Sequence, residues 1–470
     1  MVFSSPYFIF IFLPIALIVC LACYRRGYLP ALALVSLLFY FWSNGLDIFL
    51  LLSVIVGNYV GALLLARYRY RALLYLLILA NVLLLARFKY LFFLTQNIQS
   101  LTGLEVLSGA SKIILPAGLS FFIFQAISYL VDVWRGDIPA ERRFFRYAAY
   151  QSFFPHLIAG PIVRFRDVIG DFIEPKLSVE NFGSGVTRFA HGLFKKTIIA
   201  DGVAPIADAI FVLPGGELNF ANAWVGATAY ALQIYFDFSG YSDMAIGMAQ
   251  MFGIHFKENF VRPYSSRSLT EFWRRWHISL SSWFRDYVYF PLGGNRHGTI
   301  TTYRNLLIVF LVTGLWHGAA WNFVIWGIYH GFFLILERAA LSAPLEKMQA
   351  ELLRYVYCLP VVIFGWVLFR AGTLEQTGQL WLAMAQPWTL IPLNDLMTQA
   401  AMTPDTILSL LLGSVIFILP RRASFGSLLS QEPRSPFGKL VNVGYTAVAL
   451  VSASILILSG NYSPFLYFQF

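Results

Sequence analysis

Two histidines stand where a polar ring is costly. The first lies in Asn305-Leu-Leu-Ile-Val-Phe-Leu-Val-Thr-Gly-Leu-Trp-His-Gly-Ala-Ala-Trp-Asn-Phe-Val-Ile-Trp-Gly-Ile-Tyr-His-Gly331, where His317 sits deep in an apolar run. Gly314, Gly318, Ala319 and Ala320 surround it, and such small neighbours let another chain or a ligand approach the imidazole. An ionisable residue at membrane depth points to function by default. The plainer alternative is a histidine bonded between helices for packing. His330, nearer the end of the same run, is expected to pack or to anchor at an interface. The second histidine lies in Arg262-Pro-Tyr-Ser-Ser-Arg-Ser-Leu-Thr-Glu-Phe-Trp-Arg-Arg-Trp-His-Ile-Ser-Leu-Ser-Ser-Trp-Phe-Arg-Asp-Tyr287. Ser268 and Glu271 match a capping box, which predicts a helix from Leu269. On one continuous helix Trp273, His277, Leu280 and Phe284 would share a face. Arg274, Arg275, Arg285 and Asp286 lie mostly elsewhere. The pattern suits an amphipathic helix lying on a membrane, with a histidine interrupting its apolar side.

An imidazole titrates near neutrality and suits general-base work. Buried and neutral, it could take a proton from a hydroxyl as that hydroxyl attacks an acyl carbonyl. No Ser-His-Asp order, G-x-S-x-G elbow or P-loop accompanies these residues. Nor do the histidines have the H-E-x-x-H spacing of a metal helix. Direct acyl transfer by a lone base is the natural enzymatic reading, and a transporter's proton relay is its competitor. A third histidine, His156, follows Pro155 and precedes Gly160-Pro161; it is expected to shape a cavity wall. Cys20, Cys23 and Cys358 lie in apolar sequence and read as helix filler.

These residues need a scaffold, and composition says what kind. The 470 residues are 58% hydrophobic and only 12% charged, about half the charge of a soluble domain. Too few charges remain to cover a water-facing surface, so lipid is the solvent for much of the chain. The net charge of +10 then reads as cytoplasmic loops that fix orientation, not as a nucleic-acid surface. Residues 1–6 carry no Lys or Arg, and the run at 7–24 is long, so it is expected to be a first span and not a cleaved signal. Apolar runs follow near 28–42, 46–66, 72–95, 113–134, 147–162, 187–214, 221–252, 305–336, 353–370, 377–393, 405–420 and 440–460. Pro and Gly interrupt several of them. Broken helices in lipid need protein or a cavity around them, so the middle of the chain is expected to line one. Residues 421–439 are expected to be a polar linker. The whole, 1–470, is expected to be one all-α, polytopic membrane domain.

The chain resembles the membrane-bound O-acyltransferase (MBOAT) superfamily, and within it the bacterial alginate O-acetyltransferase (AlgI-like) branch. The matching stretches run nearly end to end: Met1-Val-Phe-Ser-Ser5, Phe154-Pro-His-Leu-Ile-Ala-Gly-Pro161, Tyr235-Phe-Asp-Phe-Ser-Gly-Tyr-Ser-Asp-Met-Ala-Ile-Gly247, Glu271-Phe-Trp-Arg-Arg-Trp-His-Ile-Ser-Leu280, Leu292-Gly-Gly-Asn-Arg296, Gly314-Leu-Trp-His-Gly-Ala319 and Ser463-Pro-Phe-Leu-Tyr-Phe-Gln-Phe470. The resemblance implies a ring of roughly eleven or more transmembrane and re-entrant helices around a funnel or tunnel. It assigns the superfamily's catalytic histidine to His317 and the upstream polar partner to His277. It implies an inner-membrane enzyme that passes an acyl group across the membrane. Acetyl-CoA is the expected donor, and no cofactor is expected to be bound. The expected partners are a periplasmic SGNH-hydrolase-like acetyltransferase and a polysaccharide secretion complex. The stretch at 421–439 is shorter than in many alginate-acting members, so cellulose stands close behind alginate as the polymer; D-alanylation of teichoic acid ranks lower.

Orientation follows from arginine. Arg25-Arg26, Arg67 to Arg71 and the four arginines of 135–146 alternate with Ser43-Asn44 and a neutral stretch near 96–111. Basic loops face the cytoplasm, which puts the N-terminus outside. Single cysteines placed at 69 and 140 should react with an impermeant thiol reagent only from the cytoplasmic side, and one at 44 only from the periplasm. Labelling of position 140 from outside would overturn this topology.

Overall fold

An apolar chain in lipid must satisfy its backbone amides within each segment, and helices do so. The computed structural model describes residues 2–103, 114–341, 353–388, 401–418, 436–460 and 463–466. Among them every regular element is helical. Tyr28–Tyr68, Arg71–Lys89, Thr299–His317, Trp321–Leu341 and Phe437–Leu458 are long and apolar enough to cross a bilayer. The 41-residue Tyr28–Tyr68 stretch would measure about 60 Å as one rod, roughly twice the hydrocarbon thickness. It turns at Gly45, whose φ of 56° only glycine adopts freely, so two expected runs become the helices Tyr28–Asn44 and Ile48–Tyr68. Phe8–Ala22, Tyr355–Arg370 and Pro404–Ile418 are shorter apolar helices. Most of the expected linker, 421–435, lies outside the described residues; from Pro436 the chain is already helix.

The chain divides into two units. One comprises Met1–Phe189 with Met244–Lys257, the other Ala190–Asp243 with Glu258–Phe470. In the first, Asn58 and Asn81 exchange side-chain hydrogen bonds of 3.2 and 2.8 Å between neighbouring apolar helices, a polar tie of the kind that holds helices together where lipid gives no hydrophobic force. Pro155 and the extended Phe153 break the apolar run there, as its sequence suggested, into Phe144–Ser152 and the single turn Phe154–Leu157.

In the second unit the long run at 305–336 is a hairpin. Thr299–His317 ends at Gly318, whose backbone is extended, and Trp321–Leu336 returns beside it. Glycine sets how near the two helices lie. A Cβ on Gly314 would stand 2.2 Å from the Phe323 carbonyl oxygen, and one on Gly327 would stand 2.3 Å from that of Phe310. The small residues noticed around His317 therefore admit a neighbouring helix. Gly327→Val should cost about 1–3 kcal/mol by forcing the helices apart. Thermal melting of the detergent-solubilised protein should fall by several degrees; an unchanged melting point would contradict this packing.

Candidate functional site

His317 is the last residue of the Thr299–His317 helix and is buried. Its ring packs edge-on against Trp316 at 4.9 Å, Trp326 at 5.1 Å and Phe369 at 5.1 Å. The aromatic shell shields the imidazole from bulk solvent. The tight hairpin behind it fixes where it stands.

His277 sits where the sequence reading needs correction. The Ser268 cap forms, its hydroxyl accepting from the Glu271 N–H at 3.1 Å, while the Glu271 carboxylate accepts from the N–H of Arg267, one residue before the cap, at 3.0 Å. The helix it starts stops at Arg275, and a second begins at Ile278. His277 lies in the break, in the left-handed region with φ 44° and ψ 55°. Trp273, His277, Leu280 and Phe284 therefore do not form one continuous face. Histidine tolerates positive φ better than most side chains, and neither Gly nor Pro marks the spot.

Asn259 holds the break together. Its backbone carbonyl accepts from the Ile278 N–H at 2.9 Å. Its side-chain oxygen accepts from the Ser279 N–H at 3.1 Å and the Ser279 hydroxyl at 2.9 Å, and lies 3.2 Å from His277 Nδ1. Its amide nitrogen donates to the Ser242 hydroxyl at 3.1 Å. A backbone N–H can only donate, so the Asn259 atom facing Ser279 is the oxygen. The proton then sits on His277 Nδ1, and Nε2 is the ring's acceptor. Burial pushes the His277 pKa down to about 3, so the ring is neutral near pH 7. Sequence reasoning missed Asn259, because nothing in Lys257-Glu258-Asn259-Phe260 signals a contact with a residue so far along the chain.

The two histidines meet at one ring. Trp316 lies 4.9 Å from His317 and 6.2 Å from His277, centroid to centroid. His277 also packs edge-on against Phe238 at 4.6 Å. Phe465, near the end of the chain, packs on Phe238 at 5.4 Å and stacks on Tyr241 at 4.7 Å. A buried ion cluster fixes that terminal segment. Lys196 pairs with Asp237 at 2.6 Å and Asp201 at 2.7 Å. Ser463 donates to Asp201 at 2.6 Å, and the Leu466 N–H donates to Asp237 at 2.9 Å. His156 belongs to the other unit, where its Nε2 donates to the Tyr150 carbonyl at 2.8 Å and its ring stacks on Phe256.

A cavity of about 930 Å³ opens in the same unit as His277 and His317. Trp273 lies on its wall, together with Arg267, Arg274, Arg285 and Arg338. Glu337 is the carboxylate at its edge and is already committed, accepting from the N–H groups of Leu269 at 2.7 Å and Thr270 at 3.1 Å. Arg285 pairs with Asp286 at 2.8 Å. Arg274 and Arg338 make no ion pair among the described residues. The excess of guanidinium groups suits an anionic ligand, since arginine matches phosphate and carboxylate geometry.

Residues 141–374 match the family model described as MBOAT, membrane-bound O-acyltransferase family. Over 507 aligned residues the chain is 40% identical to a protein of Azotobacter vinelandii named a probable alginate O-acetylase AlgI, with all of both chains covered. The chain belongs to the MBOAT family. Within it, the full-length match puts it in the AlgI-like branch. A peptidoglycan O-acetyltransferase of Helicobacter pylori is 39% identical, over 80% of this chain and 78% of that one. A teichoic acid D-alanyltransferase of Streptococcus thermophilus is 29% identical over half of this chain and 59% of its own length. The MBOAT protein described here is thus a multi-pass membrane O-acyltransferase.

Asn259→Ala should leave the His277 Nδ1–H buried without its acceptor, a loss of about 1–3 kcal/mol. Acyl transfer per folded molecule should fall in step, by roughly 5- to 150-fold. Asn259→Asp, which keeps the acceptor oxygen, should recover part of that loss. Equal activity in all three proteins, measured per unit of membrane-inserted protein, would remove Asn259 from the site.

Proposed function

We propose that the protein is an inner-membrane acetyltransferase that supplies acetyl groups for O-acetylation of a secreted exopolysaccharide. Alginate is the first choice of polymer and cellulose the second. The single observation that carries the reading is that two buried histidines both pack on the Trp316 ring. An acyl-transfer centre needs a base and an orienting group close together and away from water, and this pair has that form. Support for the acetyl group and for a polymer acceptor comes from relatives named for alginate and peptidoglycan O-acetylation.

In this reading His317 is the base. As an acceptor hydroxyl attacks the carbonyl of an acetyl thioester, His317 takes its proton. The C–O bond forms, the C–S bond breaks, and the imidazolium gives the proton to the leaving thiolate. His277, neutral and held through Nδ1, orients donor or acceptor through Nε2. The arginine-lined cavity suits an anionic donor, and acetyl-CoA fits that description. The acceptor hydroxyl belongs to a periplasmic SGNH-hydrolase-like acetyltransferase that works with a polysaccharide secretion complex and passes the group to the polymer. The helices form a ring of roughly eleven or more around a funnel, with the N-terminus on the periplasmic side.

His317→Ala should lower the acetyl ester content of the polymer by about 10²–10⁴-fold per inserted protein molecule, the usual cost of losing a positioned base. His277→Ala should lower it less. Protein abundance should stay near wild type in both. Mass spectrometry of the secreted polymer reads the result directly. Normal acetylation by His317→Ala at normal abundance would remove the base assignment. In a deletion strain, loss of the polymer itself rather than of its esters would favour transport.

A further inference from the structure

The hydrogen bonds that close the break at His277 have a counterpart at the other end of the helix before it. That helix, Leu269–Arg275, has seven residues, too few to hold together on its own. Its first N–H groups have no acceptor within the helix. The Ser268 hydroxyl takes that of Glu271. Those of Leu269 and Thr270 go to Glu337, one to each carboxylate oxygen, at 2.7 and 3.1 Å. The Tyr357 hydroxyl donates to the same carboxylate at 3.3 Å. Glu337 is 6% exposed, so these protein donors stand in for the water that a carboxylate otherwise needs. A carboxylate is also the favoured partner for the positive end of a helix dipole.

The carboxylate comes from the hairpin that carries the other histidine. Glu337 directly follows the Trp321–Leu336 helix, which packs on Thr299–His317 through Gly314 and Gly327. Trp273, in the middle of the short helix, packs on Phe310 of one hairpin helix at 5.2 Å and on Trp326 of the other at 5.6 Å. Trp326 in turn packs on His317 at 5.1 Å. The short helix thus meets the hairpin through a polar tie at its start and an indole further on, and it ends two residues before His277. Packed rings permit some sliding. Two hydrogen bonds to successive N–H groups are directional, and they fix both the height and the rotation of the helix.

We infer that Glu337 is a positioning residue for acyl transfer: it holds the helix that leads to His277 on the hairpin that carries His317, and thereby sets how the two histidines stand to each other. Its oxygens are taken up by the helix, so it acts through His277 and not on the acyl group. The inference rests on the reading of the two histidines given above.

The test compares wild type, Glu337→Ala, Glu337→Gln and a control, Asn81→Ala, which breaks the polar tie between two helices of the other unit. Each is expressed in a deletion strain, and the acetyl esters of the secreted polymer are measured per inserted protein molecule. Melting temperature and equilibrium affinity for acetyl-CoA are measured on the full chain in lipid nanodiscs. Glu337→Ala and Asn81→Ala both leave buried polar groups unpaired, so both should melt several degrees lower. Only Glu337→Ala should lose acetylation, by about 10- to 100-fold, the effect of displacing a reacting group slightly. Its affinity for acetyl-CoA should not fall, since taking a carboxylate from an arginine-lined cavity removes no attraction for an anion. Glu337→Gln, which keeps one acceptor oxygen, should recover part of the loss. Full acetylation by Glu337→Ala would overturn the inference and leave the acyltransferase reading intact. So would an equal loss in Asn81→Ala, which would mark general weakening, or a drop in acetyl-CoA affinity large enough to account for the lost esters. Where Glu337→Ala does not accumulate, Glu337→Gln takes its place: lost acetylation at undiminished affinity supports the inference, and full acetylation overturns it. Absence of acetyl esters with wild type would instead overturn the acetyltransferase reading, and this inference with it.

Discussion

Breaking a helix inside a membrane protein leaves amide groups that only the protein can satisfy. The site depends on how that is done at His277. Asn259 takes the Ile278 N–H on its backbone and the Ser279 N–H on its side chain. The same side-chain oxygen sets the tautomer of His277. One residue thus closes the helix end and decides which ring nitrogen is the acceptor. Without the break, His277 would be one more residue on a helix face. With it, the ring reaches Trp316 and Phe238 together.

The second constraint is closeness. Gly314 and Gly327 let the helices around His317 approach to backbone contact. Close packing leaves a side chain little freedom to move, and interiors transmit small volume changes as strain. His317 sits at the end of the first helix of that hairpin, among the rings of Trp316, Trp326 and Phe369, so the approach of the helices sets where it stands. Hydrogen bonds at a break place His277, and close helix packing places the helix end that carries His317.

Much of this was legible in the sequence. Apolar runs announce membrane helices because hydropathy is a one-dimensional property, and every long span lies where a run was expected. The Ser268 cap was legible because capping depends on near neighbours. The stop at His277 was not, since the residues there, Trp-His-Ile, carry no breaker and the reason for the break is Asn259. The arginine-lined cavity was not legible either. Arg274 and Arg285 looked like the polar side of a surface helix, and Arg267 and Arg338 join them at the cavity only through the fold. His317 stands out as a candidate from the cost of its surroundings, and His277 from its place on an apolar pattern that the structure interrupts.

Adjacent lysines serve two different carboxylates. Lys195 pairs with Asp243 at 2.7 Å and Lys196 with Asp237 at 2.6 Å, although both aspartates lie on the Phe220–Met251 helix. The lysines open the π-helical turn Lys195–Ala200, a widened turn with one residue more than an α-helix would use. Such a turn is an insertion carried within the helix. The wide turn absorbs its extra residue without rotating the Asp201–Phe211 helix that follows. Asp201 therefore still meets Lys196 and holds Ser463. The widened turn thus sets both lysines against one helix while it ties the end of the chain to the residues packed on His277.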